Sequence, residues 1–108
     1  MRTLRYLQAL REAIVQEMGA DESVFVIGED VRHSLRGATK DLVKMYGEHR
    51  VIDTPISEAA FTGLATGAAL SGMRPIVEYQ ISGLVYIAFD QLINQAMKLP
   101  YMMGGQGS

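Results

Sequence analysis

No cysteine occurs anywhere in the chain. Disulfides and thiolate-held metals are thereby excluded, which suits a protein of the cytoplasm or of an organelle matrix. Nor is there a basic stripe: ten Lys and Arg against twelve Asp and Glu leave a net charge of −2, and no nucleic-acid partner is expected. Long apolar runs are missing too. The longest uncharged stretch, residues 59–73, carries two Thr, one Ser and three Gly and falls short of the ~20 apolar residues that a membrane span requires. No membrane association is expected. Arg2 and Arg5 imitate the start of a signal peptide, but Gln8, Arg11 and Glu12 interrupt any apolar core behind them, so no targeting segment is expected. His33 and His49 both lie in polar loop sequence without a cluster of partners, and read as solvated side chains rather than ligands or catalysts.

What is present is 108 residues, one domain at most, 48% hydrophobic and 20% charged, the make-up of a globular segment with a modest core. Leu4, Leu7, Leu10, Ile14 and Met18 recur at helical spacing and predict an amphipathic helix, capped by Thr3 and closed by Gly19. The β-branched and aromatic run 24–27 predicts a strand buried on both faces, ended by Gly28-Glu29-Asp30. A short helix is expected over 39–46, stopped by Gly47. Arg74-Pro75 leads into a further strand over 76–81, and helical periodicity resumes from 85 to 99 with Pro100 at its end. Strands alternating with helices in this way predict an α/β fold, a parallel sheet with helices on both faces.

The chain is organised around residues 51–72, V-I-D-T-P-I-S-E-A-A-F-T-G-L-A-T-G-A-A-L-S-G. A short strand ends at Thr54-Pro55, because proline holds its predecessor extended, and a helix opens with Ser57 as N-cap. Glu58 therefore stands in the first helical turn at the C-terminal end of a strand, the edge where parallel sheets bind ligands. The helix dipole alone accounts for many acids so placed. The neighbourhood changes the balance: Ala59, Ala60, Gly63, Ala65, Gly67, Ala68, Ala69 and Gly72 leave this helix almost without bulk. Each interior glycine costs about 1 kcal/mol of helix propensity, usually offset by the close approach of a backbone, a ligand or another chain. Gly63 and Gly67 form a G-x-x-x-G that reads as close packing between helices. Glu29 and Asp30 lie at the carboxyl end of another strand, where Gly-Asp punctuation is also that of an ordinary solvated turn.

D-T-P-I-S-E, then G-x-x-x-G-A-A-x-x-G-x-R-P, then F-D-Q-x-x-N-Q, in that order, resemble the beta subunit of the thiamin-diphosphate-dependent decarboxylase component of 2-oxo acid dehydrogenase complexes. The resemblance spans residues 4–106. It implies a thiamin-diphosphate-binding fold, of which this chain would be the N-terminal part of the pyrimidine-binding domain. The tail Y-M-M-G-G-Q-G-S matches a point where family members continue into another strand and then a second domain, so a longer protein is expected. By resemblance, Glu58 is the acid that faces the aminopyrimidine ring nitrogen and, by sharing a proton, favours the imino tautomer. Gln80 falls where the family places Gln or Met beside the pyrimidine, Leu84 where an aromatic is common, and Glu29 in an acidic passage near the active site. The loop after Glu29, V-R-H-S-L-R-G-A-T, is shorter and poorer in glycine than in usual members.

The family signature that holds the diphosphate through a divalent metal, Gly-Asp-Gly with an Asn pair downstream, does not occur. The resemblance therefore implies that Mg²⁺ is held by an alpha subunit and that this chain contributes no metal ligand. The implied assembly is a heterotetramer with an alpha subunit and a second beta subunit, passing an acyl group from a 2-oxo acid to a lipoyl-bearing acyltransferase component. Without its partners the chain is expected to be inactive. Pyruvate, branched-chain oxo acids and acetoin remain open as substrates. Two other readings stay beside this one: a transketolase-like or deoxyxylulose-phosphate-synthase-like pyrimidine domain, and a non-catalytic assembly module in which the small-residue helix only packs subunits and Glu58 only caps.

Overall fold

The computed structural model describes residues 3–106, so Arg2 and the final Gly-Ser of the tail lie outside the described residues. Three parallel strands form one sheet in the order β2-β1-β3, with β1 at Val24–Gly28, β2 at Val51–Asp53 and β3 at Arg74–Glu78. Every residue of β1 is buried, as its unbroken apolar run predicts for a central strand. Its alternate side chains serve two cores. Val24 and Val26 pack with Ile14 and Met18 of helix α1 (Tyr6–Ala20), Leu42 of helix α2 (Leu42–Tyr46) and Val51. Phe25 and Ile27 pack on the other face with Phe61 and Ala65 of helix α3 (Glu58–Leu70). The expected α/β architecture, a parallel sheet with helices on both faces, is the one observed.

Several boundaries move. Helix α1 starts at Tyr6 with Arg5 as N-cap, not Thr3, and the Arg5 amide donates to Gln8 Oε1 at 3.1 Å. Its apolar face is covered only toward its C-terminal end: Ile14 and Met18 are buried, while Leu4, Leu7 and Leu10 remain open. Helix α2 is shorter than 39–46 because Asp41 takes a left-handed conformation, φ 63°, which breaks the helical run before Leu42; Gly47 ends it at φ 82°. Strand β3 runs from Arg74 rather than from 76, and ends before Tyr79. Pairing decides this, since five residues of β1 match Arg74 to Glu78. Ser57 is the N-cap of α3 but makes no side-chain capping bond.

The single helix expected over 85–99 is three pieces. A 3-10 helix covers Ser82–Ala88, a π-helix Asp90–Met97, and a short helix α4 Leu99–Met102. In the widened π stretch Gln91 lies against α3, its Oε1 only 2.9 Å from where a side chain on Gly63 would begin. Pro100 stands in the first turn of α4 instead of ending a helix, a position where its missing N–H leaves no bond unmade.

Two arginines tie loops to the sheet. Arg50 donates to the carbonyls of Met18, Asp21 and Val24 and lies 5.1 Å from the Tyr46 ring centre, which closes the C-terminal end of α1 onto β1. Arg32 donates to the Val51 and Glu48 carbonyls, and its own amide donates to Asp53 Oδ1 at 2.8 Å. The short loop 31–38 is held by these bonds against the end of β2.

Candidate active site at the carboxyl edge of the sheet

Register sets the geometry. Gly28 of β1 is level with Asp53 of β2 and Glu78 of β3. One step further along each strand stand Glu29, Thr54 and Tyr79, in a row across the carboxyl edge. The ladder persists to that level, because the Thr54 amide donates to the Gly28 carbonyl at 3.0 Å. Side chains alternate along a strand, so this row faces the side covered by α3, like Phe25, Ile27, Ile52 and Val77 before it. Backbones are tight here: a Cβ on Gly28 would lie 2.5 Å from the Glu78 carbonyl oxygen.

Helix α3 begins directly beneath the row. Its first residue, Glu58, is only 6% exposed. The Glu29 carboxyl is raised above the ordinary carboxylate range, first by burial, then by the charge of Glu58 and a hydrogen-bonded contact with it, and last by Asp30. Two acids thus meet at one place. Gln80 completes the group by donating from Nε2 to the Glu29 carbonyl. Glu29, Glu58 and Gln80 are brought together; Leu84 is carried on the neighbouring 3-10 helix, partly buried and outside this polar group. His33 and His49 are exposed, as their loop sequence predicts.

Three of the buried polar atoms without a partner lie at this edge: Glu29 Oε1, Thr54 Oγ1 and Gln80 Oε1. Buried polar groups are normally bonded, so three orphans at one edge of the sheet stand out. Sequence reasoning missed Thr54, although strand alternation carried one residue past Asp53 places it. It also missed the brace behind the site, where Tyr79 and Thr62 hydroxyls lie 2.6 Å apart and the Tyr79 ring packs 5.7 Å from Phe61. Ile56, 84% exposed, leaves an apolar side chain open just ahead of Glu58.

The family model described as transketolase, pyrimidine binding domain, matches residues 2–105. The chain belongs to this pyrimidine-binding-domain family. Relatives of this pyrimidine-binding domain include proteins named pyruvate dehydrogenase E1 component subunit beta. The one from Cyanidium caldarium is 50% identical over 91% of this chain and 31% of its own length. That from Rickettsia conorii is 50% identical over 92% and 31%, and that from Rhizobium meliloti 47% identical over 98% and 24%. The chain therefore spans a quarter to a third of the relatives it matches, and the resemblance to beta subunits of 2-oxo acid dehydrogenase decarboxylases is borne out.

The three orphaned atoms suit the polar edge of an aminopyrimidine. Amide and carboxyl oxygens can accept from its amino group, an acid can donate to its ring nitrogen, and the small-residue helix leaves room for a planar ring. Among the described residues, no group of three or more His, Cys, Asp or Glu side chains could hold a metal ion, and no helix is long and apolar enough to cross a membrane.

Proposed function

We propose that this chain is the N-terminal part of the pyrimidine-binding domain of a pyruvate dehydrogenase-type beta subunit, and that it binds the aminopyrimidine half of thiamin diphosphate at the carboxyl edge of its sheet. The observation that carries the reading is Glu58, buried in the first turn of α3 and in contact with Glu29. The names of the relatives favour pyruvate among the 2-oxo acids. The relatives named above favour this reading over transketolase-like sugar chemistry, and a purely structural Glu58 leaves the orphaned oxygens of Glu29 and Gln80 without a purpose.

Thiamin diphosphate, when bound, supplies the carbon that attacks the 2-oxo acid and accepts the electrons released with carbon dioxide. The chain's own part is placement and proton control. Glu58 gives and retrieves a proton at the aminopyrimidine ring nitrogen. Glu29, its carboxyl raised by burial and by Glu58, stands beside that acid and accepts the Gln80 amide on its backbone oxygen. Gln80 presents its free Oε1 to the ring, and Leu84 with Ile56 gives it apolar cover. Diphosphate and Mg²⁺ belong to an alpha subunit, so that the working unit is a heterotetramer with two beta chains, delivering the acyl group to a lipoyl-bearing acyltransferase in the cytoplasm or an organelle matrix. The chain by itself is inactive.

Glu58→Gln in the assembled full-length enzyme tests this. It keeps shape and hydrogen bonding but cannot exchange the proton. Turnover is expected to fall by at least about a hundredfold, the scale of general acid-base catalysis, with the assembly intact by size-exclusion chromatography. Near-normal turnover rules the role out.

A further inference from the structure

The row across the carboxyl edge contains two hydroxyls, and they differ in one respect. Tyr79 spends its hydroxyl on Thr62, 2.6 Å away, inside the protein. Thr54 does not: its Oγ1 is fully buried and bonded to nothing. The backbone that carries it is held in place. Pro55 restricts it to extended geometry, and its amide is held by the Gly28 carbonyl at 3.0 Å. Alternation from Val51 in one core and Ile52 in the other sets Thr54 on the α3 side, the side of Glu58. Glu29, its neighbour in the row, is the residue that meets Glu58 there.

We infer that Thr54 is a further ligand-contacting residue of this site, its hydroxyl held without a partner in the free protein so that it can bond a polar edge of the bound heterocycle. A hydroxyl both donates and accepts, and so can serve an amino group or a ring nitrogen, where Gln80 Oε1 can only accept. The inference rests on the proposal that thiamin diphosphate binds at this edge. A group fixed in advance costs the complex little ordering entropy, and leaving it unmade is a burden borne by the free protein alone. Thr54 should therefore trade stability of the free form for affinity.

That trade is measurable in the full-length beta chain co-assembled with its alpha subunit, using thiamin diphosphate with Mg²⁺ as the probe. Thr54→Val removes the hydroxyl and nearly keeps the volume; Thr54→Ser restores it. By calorimetry, Thr54→Val is expected to raise the Kd about tenfold, one ordinary hydrogen bond, while the Tm of the cofactor-free assembly stays level or rises, and Thr54→Ser is expected to recover most of the affinity. A Thr54→Val protein that binds as tightly as the parent overturns the inference. So does one whose cofactor-free Tm drops, since the hydroxyl then has a partner within the protein. If the parent assembly takes up no thiamin diphosphate, the underlying proposal fails instead, and the two failures are told apart by the parent titration alone.

Discussion

At Glu29 a single carboxyl reports on the whole site. Burial and the neighbouring charge of Glu58 push its pKa above the usual 4.5, so the folded state binds this proton more tightly than the unfolded chain. Stability from this group is complete below about 4.5 and is lost as pH rises through the raised folded value. Glu29→Gln should thus stabilise the protein at neutral pH, with the gain in Tm shrinking to nothing in acid; a pH series of thermal melts on the full-length chain checks it, and a gain that persists unchanged below pH ~4 points to some other cause. The residue's position was legible in Gly28-Glu29-Asp30, at the end of an apolar run. Its partner was not, because nothing local says that residue 29 meets residue 58.

Among the elements, helix α3 and strand β3 do the positioning. Tyr79 and Thr62 bridge them behind the site, and Thr62 lies one turn beyond Glu58 on the same helical face. A double-mutant cycle with Tyr79→Phe and Thr62→Val is expected to give a coupling of about 1 kcal/mol, the net value of a partly buried hydrogen bond, in denaturant unfolding. Zero coupling means the brace is only a contact. Gly28 sets a harder limit. A methyl there meets the Glu78 carbonyl at 2.5 Å, and backbone cannot yield as a side-chain tip can, so Gly28→Ala should cost roughly 1–3 kcal/mol or more in stability. Gly63→Ala meets only the movable end of Gln91 and should cost less. Existence and order of these elements followed from periodicity. Their limits did not: the start of β3 depended on which residues of β1 were free to pair, and the run from 82 to 102 became three helical types once it packed on α3.

As a whole, the molecule is under-covered. Its accessible surface of 7059 Å² exceeds by about a fifth the roughly 5,900 Å² that an 11.9 kDa compact monomer presents. The radius of gyration, 14.5 Å, likewise exceeds the ~13 Å typical of this length. Exposed apolar side chains concentrate in two places. One is the cleft between α1 and β3, with Leu7 and Leu10 on its wall, and the other is the run from Ile81 to Met103, where Tyr86, Ile87, Met97 and Tyr101 are each more than half exposed. Three strands with two open flanks bury little core for their size. The 108 residues expressed alone are expected to self-associate and to bind a hydrophobic dye, by light scattering and fluorescence. A monomer with one cooperative thermal transition argues against this.

The sequence by itself determined the alternation of helices and strands, the parallel sheet, the edge where ligands gather and the place of Glu58 on that edge. These depend on signals that act over a few residues: a proline, a β-branched run, a cap, a glycine. Only the tertiary structure decided that Glu29 faces Glu58, that Gln80 reaches back 51 residues to the Glu29 carbonyl, and that the Thr54 hydroxyl is left without a partner. Those facts follow from strand register, and register is chosen by how two cores fill on opposite faces of one sheet, a packing problem that no local stretch of chain contains.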